Sequence, residues 1–394
     1  MTHDQPLSRR RPAAEAGSAA ADEAALLARL RQALPAIADD AAGEDQSGCF
    51  PVASWQRLVD AGLLSAPLQR SLGGRGWGSE THGAQALASA LRLIGRASLP
   101  LGRLYEGHVN ALRLVQRHGT PAQRRQAAAD ATAGQAFAIW NTDPPQGPGL
   151  RLAENGRLQG TKVLCSGAGH VQRALVTYRP QQQPDAPPQL ALVPLLPGQG
   201  ADASSWTAQG MRASVSGSVA FDGLRLEPVM RIGIPGDYLR QPDLAVGAWR
   251  FLAVQCGGID AIGEALRQHL RRTGRGDDPH QARRLAQVAI AAQTAWQWVE
   301  RAAPLAEAAD AGQASIAFVN IARHAVEAAA VRAMQLAQKS VGLAAFLAPH
   351  PLDRLCRDLA TYLRQPAPDA ALMAAAQYLL QQNDAMAELW GQQG

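Results

Sequence analysis

Gln209 to Pro228 reads QGMRASVSGSVAFDGLRLEP. The segment opens on a glycine-led turn, Gly210-Met211-Arg212-Ala213-Ser214. Apolar side chains then recur at Val219, Phe221, Leu224 and Leu226 until Pro228 ends the run. A period near two after a turn predicts paired strands rather than helix. The sequence on either side is rich in Ala, Leu and Arg, which favour helix. This one stretch therefore divides the chain into helix, sheet and helix.

Working outward, Leu26, Leu27, Leu30, Leu34 and Ile37 recur at three and four residues, and the same spacing returns around Leu58, Leu87, Leu91 and Leu112. Residues 22–134 are expected to form a helical domain, broken at Gly73-Gly74, at Ser98 to Pro100 and at Gly119-Thr120-Pro121. Residues 135–240 are expected to form a β-domain with strands near Ala136–Asn141, Leu158–Cys165, Ala174–Tyr178 and Gln189–Val193. Residues 241–394 return to long Ala-rich helical segments, predicting a four-helix bundle. The fold class expected is α+β, mostly α.

The 394 residues suffice for two or three packed domains, and with only 5% aromatics the core is built from Ala, Leu and Val. A formal charge of +5, spread over scattered arginines, excludes no class of small substrate and does not announce nucleic acid. Cys49, Cys165, Cys256 and Cys356 lie far apart without metal-ligand spacing and are expected to be reduced core thiols, so no metal is expected. Ser8-Arg9-Arg10-Arg11 superficially suggests a twin-arginine signal, but no apolar segment follows it. Residues 1–21 are expected to be a disordered tail. No apolar run reaches membrane length, so a cytoplasmic protein without a membrane partner is expected.

Several local motifs, in this order, give the chain a resemblance to the acyl-CoA dehydrogenase family. They are the glycine-rich stretch GLLSAPLQRSLGGRGWG, Arg117-His118-Gly119-Thr120-Pro121-Ala122-Gln123, Asn141-Thr142-Asp143-Pro144, GTKVLCSG from Gly160 to Gly167, Gly210 to Ser214, and Arg357-Asp358. The resemblance covers residue 22 to the C-terminus and implies a flavin, FAD. It places Thr142 against the pyrimidine side of the ring, Ser166 near N5, and Leu164 where a Trp commonly stacks. Oriented donors at those points stabilise reduced flavin electrostatically. Pro148 replaces a Ser of the flavin-binding loop and cannot donate a hydrogen bond. Arg272, in Arg272-Thr273-Gly274-Arg275-Gly276, would reach the flavin pyrophosphate of a neighbouring subunit. Gln338 and Gly342 would cap the adenosine side. These roles imply a homodimer or homotetramer.

The same resemblance exposes a gap. The family's proton-abstracting carboxylate usually lies nine residues after the Arg of Arg-Asp, and here that position is Pro366, which cannot abstract a proton. Glu264, on the first bundle helix, and Asp369, three residues past the expected position, are the candidate replacements. Arg103, Glu106 and Asn110 share one helix face by three-and-four spacing. If that face turns inward, it suits a short or polar substrate, because an alkyl chain would strand the charges. His108 lies beside them with no partner identifiable from sequence.

Three activities follow as expectations. The first is an FAD-dependent oxidoreductase that dehydrogenates an acyl thioester such as an acyl-CoA, or a similar short or polar substrate, with a relocated or absent base and an electron acceptor the sequence does not name. The second is a flavin monooxygenase on the same scaffold, which needs no carboxylate base. The third is a catalytically silent binding or assembly homologue.

Overall fold

The computed structural model describes residues 13–386 and 388–390. Helix α1 (Ala13–Ser47) already includes Ala13 to Ala21, which corrects the tail expected over residues 1–21; residues 1–12 lie outside the described residues. Helices α2 (Val52–Asp60), α3 (Ala84–Ala97), α4 (Leu99–His118) and α5 (Pro121–Thr132) complete the N-terminal helical part. The breaks read from the sequence become caps. Ser98 accepts from the Leu101 amide at 3.3 Å to start α4, and Thr120 with Gln123 forms a reciprocal capping box on α5. Pro100 and Pro121 sit in first turns, where a missing N–H costs nothing.

The β-domain holds two sheets. One is six-stranded, with β3 (Leu158–Gln159), β2 (Arg151–Leu152), β5 (Arg173–Pro180), β6 (Gln189–Pro194) and β9 (Arg231–Ile232) in that order and β1 (Phe137–Trp140) parallel to β5. The other orders β4 (Thr161–Cys165), β8 (Gly217–Ala220) and β7 (Ala201–Asp202). The expected strand over Leu158–Cys165 is split at Gly160, whose backbone has φ +108° and packs against Gly149. Of the opening stretch, Gly217–Ala220 is strand, whereas Arg212–Ser214 is a single 3-10 turn. Val219 and Phe221 are fully buried beneath it.

The C-terminal part consists of the short α6 (Asp243–Val246), α7 (Trp249–Arg272), α8 (Pro279–Glu307), α9 (Gln313–Val341), α10 (Pro351–Tyr362) and α11 (Pro368–Gln381). The fourth arm of the bundle is thus broken in two, at the Pro366–Pro368 segment. Small residues let these helices approach closely: Gly95 and Gly257 lie where any Cβ would meet backbone of the facing helix within 2.5 Å. One apolar core runs through both helical parts, and a second fills the β-domain. Cys165, Cys256 and Cys356 are buried free thiols, but Cys49 is exposed, against the expectation of four core thiols. Among the described residues no helix is long and apolar enough to cross a membrane, and no group of three or more His, Cys, Asp or Glu could hold a metal.

Candidate functional site

A cavity of about 500 Å³ opens where α4, β1, α6, the start of α7, α9 and the Pro366–Pro368 segment converge. Its wall is charged. The stripe Arg103, Glu106, Asn110 on α4 does turn inward, and it continues at Arg113 and Arg117 with the same three-and-four spacing. Glu106 and Asn110 line the cavity itself, while Arg103 borders a neighbouring crevice beside Ser166.

These side chains form one continuous relay. Glu106, almost fully buried, accepts from Arg103 and from the Asn110 amide. Asn110 in turn accepts from Arg250 at 3.0 Å, and Arg250 pairs with Glu307 at the end of α8. Glu307 also accepts from the Trp249 indole at 3.0 Å and meets Arg113 at 3.2 Å. Arg113 reaches Asp243 at 3.4 Å, and Asp243 meets Arg117 at 2.7 Å. Burial pulls the Arg250 pKa down to about 10, against the opposing pull of Glu307. Every carboxylate on the wall is thus committed to a cation, as buried charge requires.

Arg323 on α9 differs. Its guanidinium donates to the Pro366 carbonyl oxygen at 2.6 Å and lies 5.7 Å from the Phe251 ring centre. Among the described residues no carboxylate stands within ion-pairing distance of it. Burial draws its pKa below the usual guanidinium range. Asn320, one turn earlier on α9, adds a buried amide to the same wall.

The flavin-type residues gather on the β-domain side. The Val163 amide donates to the Thr142 carbonyl at 3.0 Å, and the Trp140 indole donates to the Ser166 carbonyl at 3.1 Å. The two hydroxyl residues therefore sit on neighbouring segments. Lys162, which is 1% exposed, locks the loop after Thr142 by donating to Asp143 at 2.6 Å, to the Asn141 carbonyl at 3.2 Å and to Thr177 at 3.0 Å. The Thr142 residue is exposed, and Leu164 is 56% exposed on a left-handed backbone at the irregularity in β4.

Ser166 is not a free donor, as expected, but the end of a hydroxyl chain. Ser214 donates to the Met211 carbonyl at 2.7 Å, so the 2.8 Å contact between Ser216 and Ser214 must use the Ser216 proton. The 2.9 Å contact of Ser166 with Ser216 must then use the Ser166 proton. Ser166 is left with an acceptor. The crevice beside it holds about 10 Å³, room for one water rather than a tricyclic ring. The larger cavity, roomier than a flavin ring, meets β1 at Ile139 and the next residue, Asn141, though none of Thr142, Leu164 and Ser166 lines it. The exposed Thr142, raised Leu164 and ready acceptor at Ser166 are compatible with such a ring on this edge.

The expected bases are elsewhere. Glu264 lines a surface groove facing α3 and α8, is bound by Arg267 and Gln268, and has its pKa lowered chiefly by Arg267. Asp369 is exposed in the first turn of α11; Pro366, Ala367, Ala370 and Ala371 line the cavity, but Asp369 does not. It is no helix cap either, since Ala367 holds that position with φ +49°. Arg272, Gln338 and Gly342 line no part of the cavity, although Arg275 reaches the Ser340 carbonyl at 3.4 Å and so brings the two segments to one end of the bundle. His108 is a core residue: its Nε2–H donates to the Leu64 carbonyl at 2.8 Å and its Nδ1 accepts from the Phe137 amide at 3.2 Å.

Sequence reasoning missed Asp243, Arg250, Glu307, Asn320 and Arg323. Only Arg113 and Arg117 carried a local signal, the continued spacing on α4; the others meet through tertiary folding.

The N-terminal domain of acyl-CoA dehydrogenases matches residues 21–135, and the C-terminal domain matches residues 238–363. The chain belongs to the acyl-CoA dehydrogenase family. It is 29% identical over 359 residues to the amino sugar nitrososynthase DnmZ of Streptomyces peucetius, covering 85% of this chain and 87% of that one. Among solved structures, dibenzothiophene monooxygenase (TdsC) from Paenibacillus sp. A11-2 superposes with a TM-score of 0.78 at 18% identity, over 90% of this chain and 97% of that one. Butyryl-CoA dehydrogenase from Megasphaera elsdenii gives 0.78 at 15% identity, over 91% and 98%. At such identities the two superpositions speak for the fold alone.

Proposed function

We propose that this protein is a flavin-dependent monooxygenase that oxygenates a polar small substrate. One observation carries the reading: the position expected to hold the dehydrogenase base is Pro366, with the Arg323 cation bound to its carbonyl. Proton abstraction needs a free carboxylate in reach. The two carboxylates lining the cavity, Glu106 and Asp243, are already held by arginines. A charged wall also disfavours an alkyl chain, which would strand buried charge. The similarity to an amino sugar nitrososynthase supports the same direction.

Thr142, Leu164 and Ser166 would hold the ring, with Ser166 accepting a hydrogen bond. When bound and reduced, a flavin supplies the two electrons that split O2, one oxygen atom going to the substrate and the other to water. The chain's part is to keep the substrate oriented by the polar wall and to bury it from bulk solvent. FAD is the form expected from the sequence; the TdsC complex with FMN makes FMN the alternative. We also infer a homo-oligomer. Leu343, Phe346 and Leu347 are more than half exposed beside Arg272, Gln338 and Gly342, an apolar patch of the kind that oligomers bury.

The test reconstitutes the protein with FAD or FMN and releases the bound flavin to identify which is retained. Anaerobic butyryl-CoA should leave the flavin spectrum unbleached. With a flavin reductase and 18O2, a nucleotide-linked amino sugar or a sulfur heterocycle should gain one labelled oxygen. Bleaching by butyryl-CoA would restore the dehydrogenase reading; failure to retain either flavin would favour the silent homologue.

A further inference from the structure

The three arginines lining the cavity are not equivalent. Arg113 and Arg250 neutralise Glu307 and Asp243, so their charge is balanced inside the protein by directly paired carboxylates. Arg323 spends one N–H on a neutral carbonyl and, among the described residues, has no carboxylate within ion-pairing distance; Glu327, one turn on, attracts it but is itself paired with Arg364. A guanidinium offers five donors in a planar fork matched to oxyanions, so Arg323 keeps a bidentate edge available. Two neighbours shape what meets it. Asn320 supplies an amide donor one turn away on α9, and the Phe251 ring flanks the guanidinium plane and adds apolar surface. Holding this half-buried cation without a directly paired carboxylate is unfavourable, and a bound anion would offset that cost.

We propose that Arg323, with Asn320 and the Phe251 ring, is the recognition point for an oxyanion on the substrate, a carboxylate or a phosphate. This rests on the cavity being the substrate site, the reading given above. The relay on α4 holds the rest of the molecule, and Arg323 anchors its acidic end at the mouth beside Pro366. Substrate choice would therefore follow charge at this end more than size. The assignment concerns binding alone and makes no demand on the oxidation step.

Calorimetric titration of the flavin-saturated protein with phenylacetate, phenyl phosphate and neutral phenylacetamide tests it. At least one anion should bind about ten-fold tighter than the amide, and the preference should shrink when NaCl is raised from about 50 to 500 mM. Arg323→Gln should erase the preference; Arg323→Lys, which keeps the charge and a donor for Pro366, should retain part of it. Melting temperatures of both variants report whether either merely unfolds. Whichever anion binds tighter names the oxyanion. Equal affinity for acid and amide, no anion binding up to about 10 mM, or an undiminished preference in a folded Arg323→Gln protein would overturn the proposal. No turnover is measured, so failure of the oxygenation test leaves this result standing, and the reverse holds too.

Discussion

His108 and Asp358 are two buried titratable groups that pull stability in opposite directions with pH. Burial lowers the His108 pKa from 6.5 to about 4, so the folded protein needs it neutral. A depressed histidine contributes its stability above the unfolded value of 6.5 and loses it as pH falls toward about 4. Asp358 is the mirror case. Burial raises its pKa from 3.8 to about 6, outweighing the Met211 amide that favours the charged form, so its ionisation costs stability as pH rises. Each shift corresponds to roughly 3 kcal/mol, and in the wild-type protein the two nearly cancel between pH 6.5 and 4. Asp358→Asn keeps an acceptor for Met211 but removes the titration. Denaturant unfolding should then show the variant losing about 3 kcal/mol more than the wild type across that window. A variant whose profile parallels the wild type would mean that Asp358 does not titrate there. The proton order of the serine chain gives a second outcome at this scale. Ser216→Ala frees the Ser166 proton to donate, so the reduction potential of a bound flavin should shift while the melting temperature changes little; an unmoved potential would mean that Ser166 does not touch the ring.

Two sequence motifs about 150 residues apart become one structural element. Asp358 accepts from the Met211 amide at 2.6 Å, and Arg357 donates to the Gln209 carbonyl at 2.6 Å while pairing with Asp45 at 2.7 Å. The Gly210 turn, α10 and the end of α1 are clamped together. A Cβ on Gly210 would lie 2.0 Å from the Arg357 carbonyl oxygen, so neither backbone can give way cheaply. Gly210→Ala should cost about 3 kcal/mol in chemical denaturation; a loss below about 1 kcal/mol would show that the clamp yields. This is why the motifs were legible as a family order. A glycine, a cap or a paired Arg-Asp leaves its mark on the residues themselves. The expected strand over Leu158–Cys165 failed where a local backbone event intervened, at Gly160, and the paired strands expected through Leu226 shrank to Gly217–Ala220. The broken fourth arm, by contrast, followed from the proline pair at 366 and 368.

For the whole molecule, the helix, sheet, helix division and the family were readable because periodicity and capping are local. The chemistry of the cavity was only half readable. Glu106 and Asn110 announce themselves by spacing on one helix, but Asp243, Arg250, Glu307 and Arg323 come from α6, α7, α8 and α9. Nothing local distinguishes those four from solvated helix charges, and the same ambiguity misdirected attention to Glu264 and Asp369. Their meeting is the fold's doing. Because each inner member of the relay has at least two partners, removing one strands another. Glu307→Gln and Arg250→Met should each be costly, and the double variant should cost at least about 1 kcal/mol less than their sum in thermal unfolding. Simple additivity would mean that the charges act independently.

That interdependence has a consequence for descent. A wall whose charges stand or fall together cannot be retuned by single replacements, since each first step passes through a destabilised protein. Arg323 lies outside that mutual dependence, its hydrogen bond among the described residues going to a main-chain oxygen. Change of diet within this lineage would begin there, at a cation that stands apart from the relay.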